Sequence, residues 1–126
     1  MRLLYIDDDR INTLLFVEAC RFADGVEVES AATGAEALEL VRRWKPDLLV
    51  VDLHLPDTNG YDLLGALRRQ LEDPALPAFL CTADDETEVS EPARSAGFAG
   101  CWPKPVDLST VLAELSRRSA GAGPAA

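Results

Sequence analysis

The sequence predicts an α/β fold, a parallel sheet with helices on both faces. Three observations carry the prediction. Apolar runs of strand length alternate with amphipathic segments of helix length, five times within 126 residues. The run 47–51 is apolar throughout after Asp47, as a strand buried on both faces should be. Polar residues stand at or just past the C-terminal ends of separate runs: Asp7 and Asp8, Asp52, Thr82 and Lys104. In open α/β sheets that edge is where ligands bind.

The elements follow in order. Residues 2–6 read as the first strand. A helix over 10–22 takes Ile11, Leu14 and Leu15, with Ala19 and Phe22, as its inner face. Asp9 is the best placed of the acidic run to cap it. Residues 26–30 alternate with period two and suit an edge strand with one wet face. Thr33-Gly34-Ala35-Glu36 has the capping-box pattern and opens a helix with Ala37, Leu38, Val41 and Trp44 as its stripe. Pro46 stops that helix. Residues 47–51 make the central strand. Asn59-Gly60 marks a turn before a helix at 61–71, with Leu64, Leu67 and Leu71 on one face. A loop from Asp73 to Pro77 leads to a fourth strand at 78–82. Residues 86–96 read weakly as a helix, because Pro92 lies inside the segment and its apolar content is thin. A fifth strand at 98–102 precedes a last helix carrying Leu108, Val111, Leu112 and Leu115, with Asp107 as N-cap. Arg117 and Arg118 sit near its C-terminus, where the helix dipole favours cations. Residues 1–118 are expected to form one domain. The Gly/Ala/Pro-rich stretch 119–126 is expected to be a disordered tail or the start of a linker.

Composition narrows the function. Apolar residues make up 48% of the chain, enough for a core. Twelve basic against 22 acidic residues leave a net charge of −10. That balance argues against direct binding of nucleic acid or of an anionic membrane, both of which need clustered Lys and Arg. Cys20, Cys81 and Cys101 are odd in number and lack CxxC spacing, which argues against disulfides or a zinc site. Cys20 and Cys81 fall in apolar patterns and read as small buried hydrophobes. A reducing, cytoplasmic compartment is the expectation. No signal peptide is expected at the N-terminus. No apolar stretch approaches the ~20 residues that cross a bilayer.

The acidic run has two readings. Close carboxylates repel, and a cation between them relieves the repulsion. Magnesium is the fitting ion, being hard and oxygen-seeking. Alternatively one Asp caps the helix and the others are solvated. The company of the run favours the first reading. Asp52 lies in Val51-Asp52-Leu53-His54-Leu55-Pro56-Asp57. Lys104-Pro105 follows the last strand, and a charged Lys there binds phosphate as a point charge. Thr82 offers a hydroxyl to a phosphoryl oxygen.

With these motifs together (Tyr-Ile-Asp-Asp-Asp at 5–9, Val-Val-Asp-Leu-His-Leu-Pro-Asp at 50–57, Asn-Gly-Tyr at 59–61, Cys-Thr-Ala at 81–83 and Lys-Pro at 104–105) the chain resembles a receiver domain of the response regulators of two-component signalling. The resemblance covers residues 1 to 118. It implies a flavodoxin-like sheet of order 2-1-3-4-5. It implies Asp52 as phosphoacceptor, with Asp7, Asp8, Asp52 and the backbone carbonyl of His54 holding Mg2+. Thr82 and Lys104 would contact the phosphoryl group. The donor would be a sensor histidine kinase or a histidine phosphotransfer protein, and the output a switched interaction with an unknown protein target or within a homodimer.

The family usually carries an aromatic residue three positions before the active-site Lys. Here that position is Cys101, either a small packing residue or a reactive thiol. Trp102 alternates to the other face, as an interface anchor or packed against the last helix. His54 and Asp84 stand where relatives tune loss of the phosphoryl group to water, or else form an exposed pair without a role. In relatives the helix carrying Ile11, Asn12 and Leu15 docks the histidine-bearing partner, and Leu15 could equally be core. Two other functions compete. One is a phosphorylation-independent interaction module that kept the fold. The other is a magnesium-dependent phosphatase, which would want a second acid where His54 stands. The chain would be a stand-alone regulator or an excised receiver of a hybrid kinase or longer regulator.

Overall fold

Leu3, Leu4, Leu48, Leu49, Val50 and Leu80 are all fully buried. Strands this apolar need helices on both faces. The computed structural model, which describes residues 1–121, has that arrangement. Strands β1 (Arg2–Ile6), β2 (Glu27–Ala31), β3 (Leu48–Asp52), β4 (Ala78–Thr82) and β5 (Gly100–Pro103) pair in parallel in the order β2-β1-β3-β4-β5. Between and after them run α1 (Arg10–Cys20), α2 (Gly34–Leu40), α3 (Gly60–Leu71), α4 (Glu86–Ala96) and α5 (Leu108–Gly121). Phe16 and Cys20 of α1 and Val111 and Leu115 of α5 pack on one face of the sheet with Tyr5, Phe79 and Trp102. Ala37, Leu63, Leu64, Leu67, Val89 and Ala93 from α2, α3 and α4 pack on the other with Leu4, Leu49 and Leu80. Each strand contributes alternate residues to the two cores, as the pleat requires.

Caps set the helix starts. Asp9 accepts from the N–H groups of Ile11 and Asn12, Thr33 from Glu36, Asn59 from Asp62, Asp85 from Thr87 and Asp107 from Ser109. Asp9, Thr33 and Asp107 are the caps the sequence points to.

Two expectations need correction. The inner face of α1 is Phe16, Ala19 and Cys20, whereas Ile11, Leu14, Leu15 and Phe22 are exposed. Apolar residues occur on both sides of this helix at the same period, so period alone does not say which stripe meets the sheet. The buried stripe is the one that stacks Phe16 on Tyr5, with ring centroids 4.2 Å apart. Secondly, α2 ends at Leu40 rather than near Pro46. Residues 41–43 tighten into turns whose bonds Arg42 N–H to Glu39 O and Arg43 N–H to Leu40 O span three residues. Trp44 still reaches the core. The weakly signalled helix over 86–96 is present as α4 with those bounds, despite Pro92. Its Asp85 cap, Gly97 at φ 102° after its last turn, and the burial of Val89 and Ala93 offset the missing donor. The last helix runs to Gly121, three residues past the expected boundary at 118. The rest of the expected tail, 122–126, and the side chain of Leu108 lie outside the described residues.

Trp102 is 7% exposed and stacks on Phe79 at 4.5 Å, so it is core and not an interface anchor. Replacing it tests both this packing and the orientation of α1. Trp102→Ala is expected to lose about 3–5 kcal/mol in urea denaturation. Leu14→Gln, on the outward face of α1, is expected to stay within about 0.5 kcal/mol of the parent. A core-sized loss at Leu14 would put the other stripe of α1 against the sheet.

Candidate functional site

Strand register brings the polar ends together. Ile6 pairs with Val51, Asp52 with Cys81, and Thr82 with Pro103. Asp7, Asp52, Thr82 and Lys104 therefore leave the sheet at one edge and nearly one level. Asp7, Asp52 and Thr82 are the buried polar residues among those described. Asp8 is exposed beside them, and carboxylate oxygens of Asp7, Asp8 and Asp52 lie within 4.8 Å of one another.

The Lys104 ammonium bridges two of these carboxylates, 3.0 Å from Asp7 Oδ2 and 3.0 Å from Asp52 Oδ2. Asp7 is held from two further sides. The buried Tyr5 hydroxyl donates to its Oδ2 at 2.8 Å, and the Asp9 N–H donates to its Oδ1 at 3.0 Å. Asp52 Oδ1 is approached by the His54 N–H at 3.4 Å. The Thr82 hydroxyl accepts from the Asp84 N–H at 3.1 Å, and the Thr82 carbonyl accepts from the Lys104 N–H at 2.9 Å. Across the mouth, the His54 imidazole meets the Asp84 carboxylate at 2.7 Å.

The charges are unbalanced, with three carboxylates against one ammonium. Burial lifts the Asp52 carboxyl above its ordinary range, Lys104 opposes that, and Asp7 adds to it. Burial alone would lower the Lys104 ammonium, but Asp52 and Asp7 outweigh burial and hold it above its ordinary value. The Lys104 shift expresses an excess of negative charge in the pocket, which a hard divalent cation would neutralise. The donor set fits magnesium: carboxylate oxygens of Asp7, Asp8 and Asp52.

The structure thus assembles Asp7, Asp8, Asp52, Thr82 and Lys104 at one sheet edge and places His54 and Asp84 in contact at its rim. Cys101 lies apart, half-buried, with Sγ 4.0 Å from the Val89 carbonyl. Burial and then Glu86 raise its thiol, which suits a packing residue better than a reactive one. Cys20 and Cys81 are buried, and burial pushes the Cys20 thiol up to about 11. Sequence reasoning passed over Tyr5 as a partner of Asp7. The signal was available, since residues two apart on a strand share a face. It also passed over Asp57, whose partners Gly34 and Ala35 are 23 and 22 residues away and leave no local pattern.

An open doubly wound sheet with an acidic pocket and one lysine at its C-terminal edge defines the class. Within that class, residues 3–116 match the response regulator receiver domain family, and the chain belongs to it. It is 34% identical over 112 residues to the probable transcriptional regulatory protein TcrX of Mycobacterium tuberculosis, covering 89% of this chain and 47% of that protein. It is 36% identical over 115 residues to the response regulator MprA of Mycobacterium leprae, covering 91% and 49%. The chain thus spans about half the length of the curated relatives it matches. Among solved structures, the chemotaxis response regulator CheY4 of Vibrio cholerae superimposes with TM-score 0.81 at 27% identity, covering 92% of this chain and 96% of that one. The non-phosphorylated HemR receiver domain of Leptospira biflexa gives TM-score 0.74 at 34% identity, covering 92% and 91%. Among the described residues no helix is long and apolar enough to cross a membrane.

An acid that titrates higher in the native protein than in the unfolded chain costs stability once pH rises above its unfolded value. Asp52→Asn is therefore expected to raise the melting temperature at pH 7 in EDTA. The gain should shrink as pH falls through the carboxylate range. A lower melting temperature for the variant at pH 7 would mean that the Lys104 contact outweighs burial.

Proposed function

We propose that the chain is a phosphoacceptor in a two-component phosphorelay. Asp52 takes a phosphoryl group from a phosphohistidine on a sensor kinase or phosphotransfer protein, and the phosphorylated form switches a protein–protein interaction. A cytoplasmic setting accords with that donor. The observation that carries the reading is Lys104 Nζ at 3.0 Å from both Asp7 and Asp52, with Asp8 beside them. One buried carboxylate is thereby presented as a nucleophile next to groups able to receive a trianionic centre.

Phosphoryl transfer asks for alignment and charge neutralisation more than for covalent help. An Asp52 oxygen forms the new O–P bond as the P–N bond to the donor imidazole breaks, and the imidazole keeps the bonding pair and takes a proton from water. Magnesium, held by Asp7, Asp8, Asp52 and the His54 carbonyl, would supply positive charge to the phosphoryl oxygens. Lys104 is freed from Asp52 and pairs with a phosphoryl oxygen. Thr82 gives up the Asp84 N–H and donates its hydroxyl to another, which draws the 82–85 loop inward. His54 and Asp84, joined at 2.7 Å over the mouth, stand where water must approach, so they set how long the acyl phosphate lasts.

The donor needs a landing surface. Ile11, Leu14 and Leu15 expose apolar side chains on α1. A pocket of about 100 Å3 lined by Tyr5, Asn12, Leu15, Phe16, Pro105 and Val106 lies beside them. An apolar helix of the histidine-bearing partner fits this surface.

Incubation with magnesium and a small phosphoramidate should place one labile phosphoryl group on the chain, read by mass spectrometry. Asp52→Asn should abolish it, and Lys104→Met should leave Asp52 able to bind metal but slow to label. A folded, magnesium-saturated chain that takes no label would leave the phosphorylation-independent module as the function. Persistent labelling of Asp52→Asn would move the acceptor elsewhere.

A further inference from the structure

Asp57 makes a long-range contact that the chemistry above does not use. It is exposed at the tip of the loop between β3 and α3. Its Oδ1 accepts from the Gly34 N–H at 2.9 Å and its Oδ2 from the Ala35 N–H at 2.9 Å. Both donors belong to the first turn of α2, where N–H groups have no partner within the helix. The helix does not need Asp57 to start, because Thr33 already caps it by accepting from the Glu36 N–H at 3.0 Å. The loop, in contrast, has much to gain. Within it the Leu55 N–H donates to the Thr58 carbonyl at 3.2 Å, the Gly60 N–H to the Leu53 carbonyl at 2.9 Å, and His54 bridges to Asn59. These bonds fold the loop on itself but leave its tip free. Among the described residues, Asp57 supplies the one side-chain tie from the tip to a different element.

The fit is close. A Cβ on the buried Gly34 would come within 2.6 Å of Thr58 Cγ2. Only glycine therefore lets the tip sit against α2 without one side moving. The Gly34 and then the Ala35 N–H hold the Asp57 carboxyl below its ordinary range, as expected for a carboxylate stabilised in its charged form.

Building on the receiver reading, we propose that Asp57 is a positioning residue. It clamps the 53–59 loop to the N-terminus of α2 and so holds the His54 carbonyl in place for the cation. Asp57 touches neither metal nor phosphoryl group. It acts through the loop backbone, as residues behind a metal's own ligands do elsewhere.

Calorimetric titration of the whole chain with magnesium tests this, alongside amide exchange of Leu55 and Gly60 in EDTA. Asp57→Ala should bind magnesium roughly 10-fold more weakly and should exchange both amides faster. Asp57→Asn loses the charge and keeps one acceptor for the two α2 N–H groups, so its affinity should fall between those of the parent and Asp57→Ala. Unchanged affinity and exchange in Asp57→Ala would overturn the clamp. Failure of the unaltered chain to bind magnesium would instead sink the receiver reading, and with it the purpose of the clamp.

Discussion

The contact on which this site depends is the Lys104 ammonium between Asp7 and Asp52. Two carboxylates with side chains 0% and 6% exposed are costly to keep ionised. Lys104, itself only 14% exposed at its side chain, offsets part of that cost and leaves an anionic surplus. The surplus is the useful quantity. A pocket with full internal neutralisation would have no electrostatic demand for a cation. A pocket without the lysine would protonate one acid and lose a nucleophile. Tyr5 narrows the arrangement further, because its donation to Asp7 Oδ2 fixes that carboxylate from beneath while Lys104 holds the same oxygen from the side.

The sheet makes the contact possible. Parallel strands end together when their registers agree, and β1, β3, β4 and β5 agree to within a residue at this edge. Each strand then needs only one polar residue after an apolar run to contribute to the pocket. The crossovers take the helices away over both faces, which leaves the edge open to ligand. The two loops that overhang it, 53–59 and 83–85, meet through His54 and Asp84.

Strand positions and the five polar residues were legible because both rest on local patterns: apolar runs with a polar stop. Boundaries moved by a residue or two at β2 and β5, as chain ends of strands do. What the sequence could not show was orientation and distance. Helix α1 offers two apolar stripes, and only the ring of Tyr5 across the interface decides that Phe16 faces inward. Pro92 weakens the helical signal of 86–96, but Val89 and Ala93 are buried and Gly97 closes the end, so tertiary packing supports a helix of poor propensity. Trp102 as core follows from alternation once β5 is accepted. The Asp57 contact joins residues 22 and 23 apart, and no window along the chain contains it.

Cys101 constrains how events in the pocket reach the rest of the molecule. A thiol has no ring to rotate, so β5 offers no large side chain that could swing between two positions at this point. What remains is backbone. The Thr82 carbonyl is tied to the Lys104 N–H, and the Thr82 hydroxyl to the Asp84 N–H. Asp84 leads directly into the Asp85 cap of α4, and α4 presents the Val89 carbonyl to Cys101. Any displacement of the Thr82 hydroxyl pulls on the residue before that cap. The helix it starts lacks one donor at Pro92 and is seated on the sheet by Val89 and Ala93.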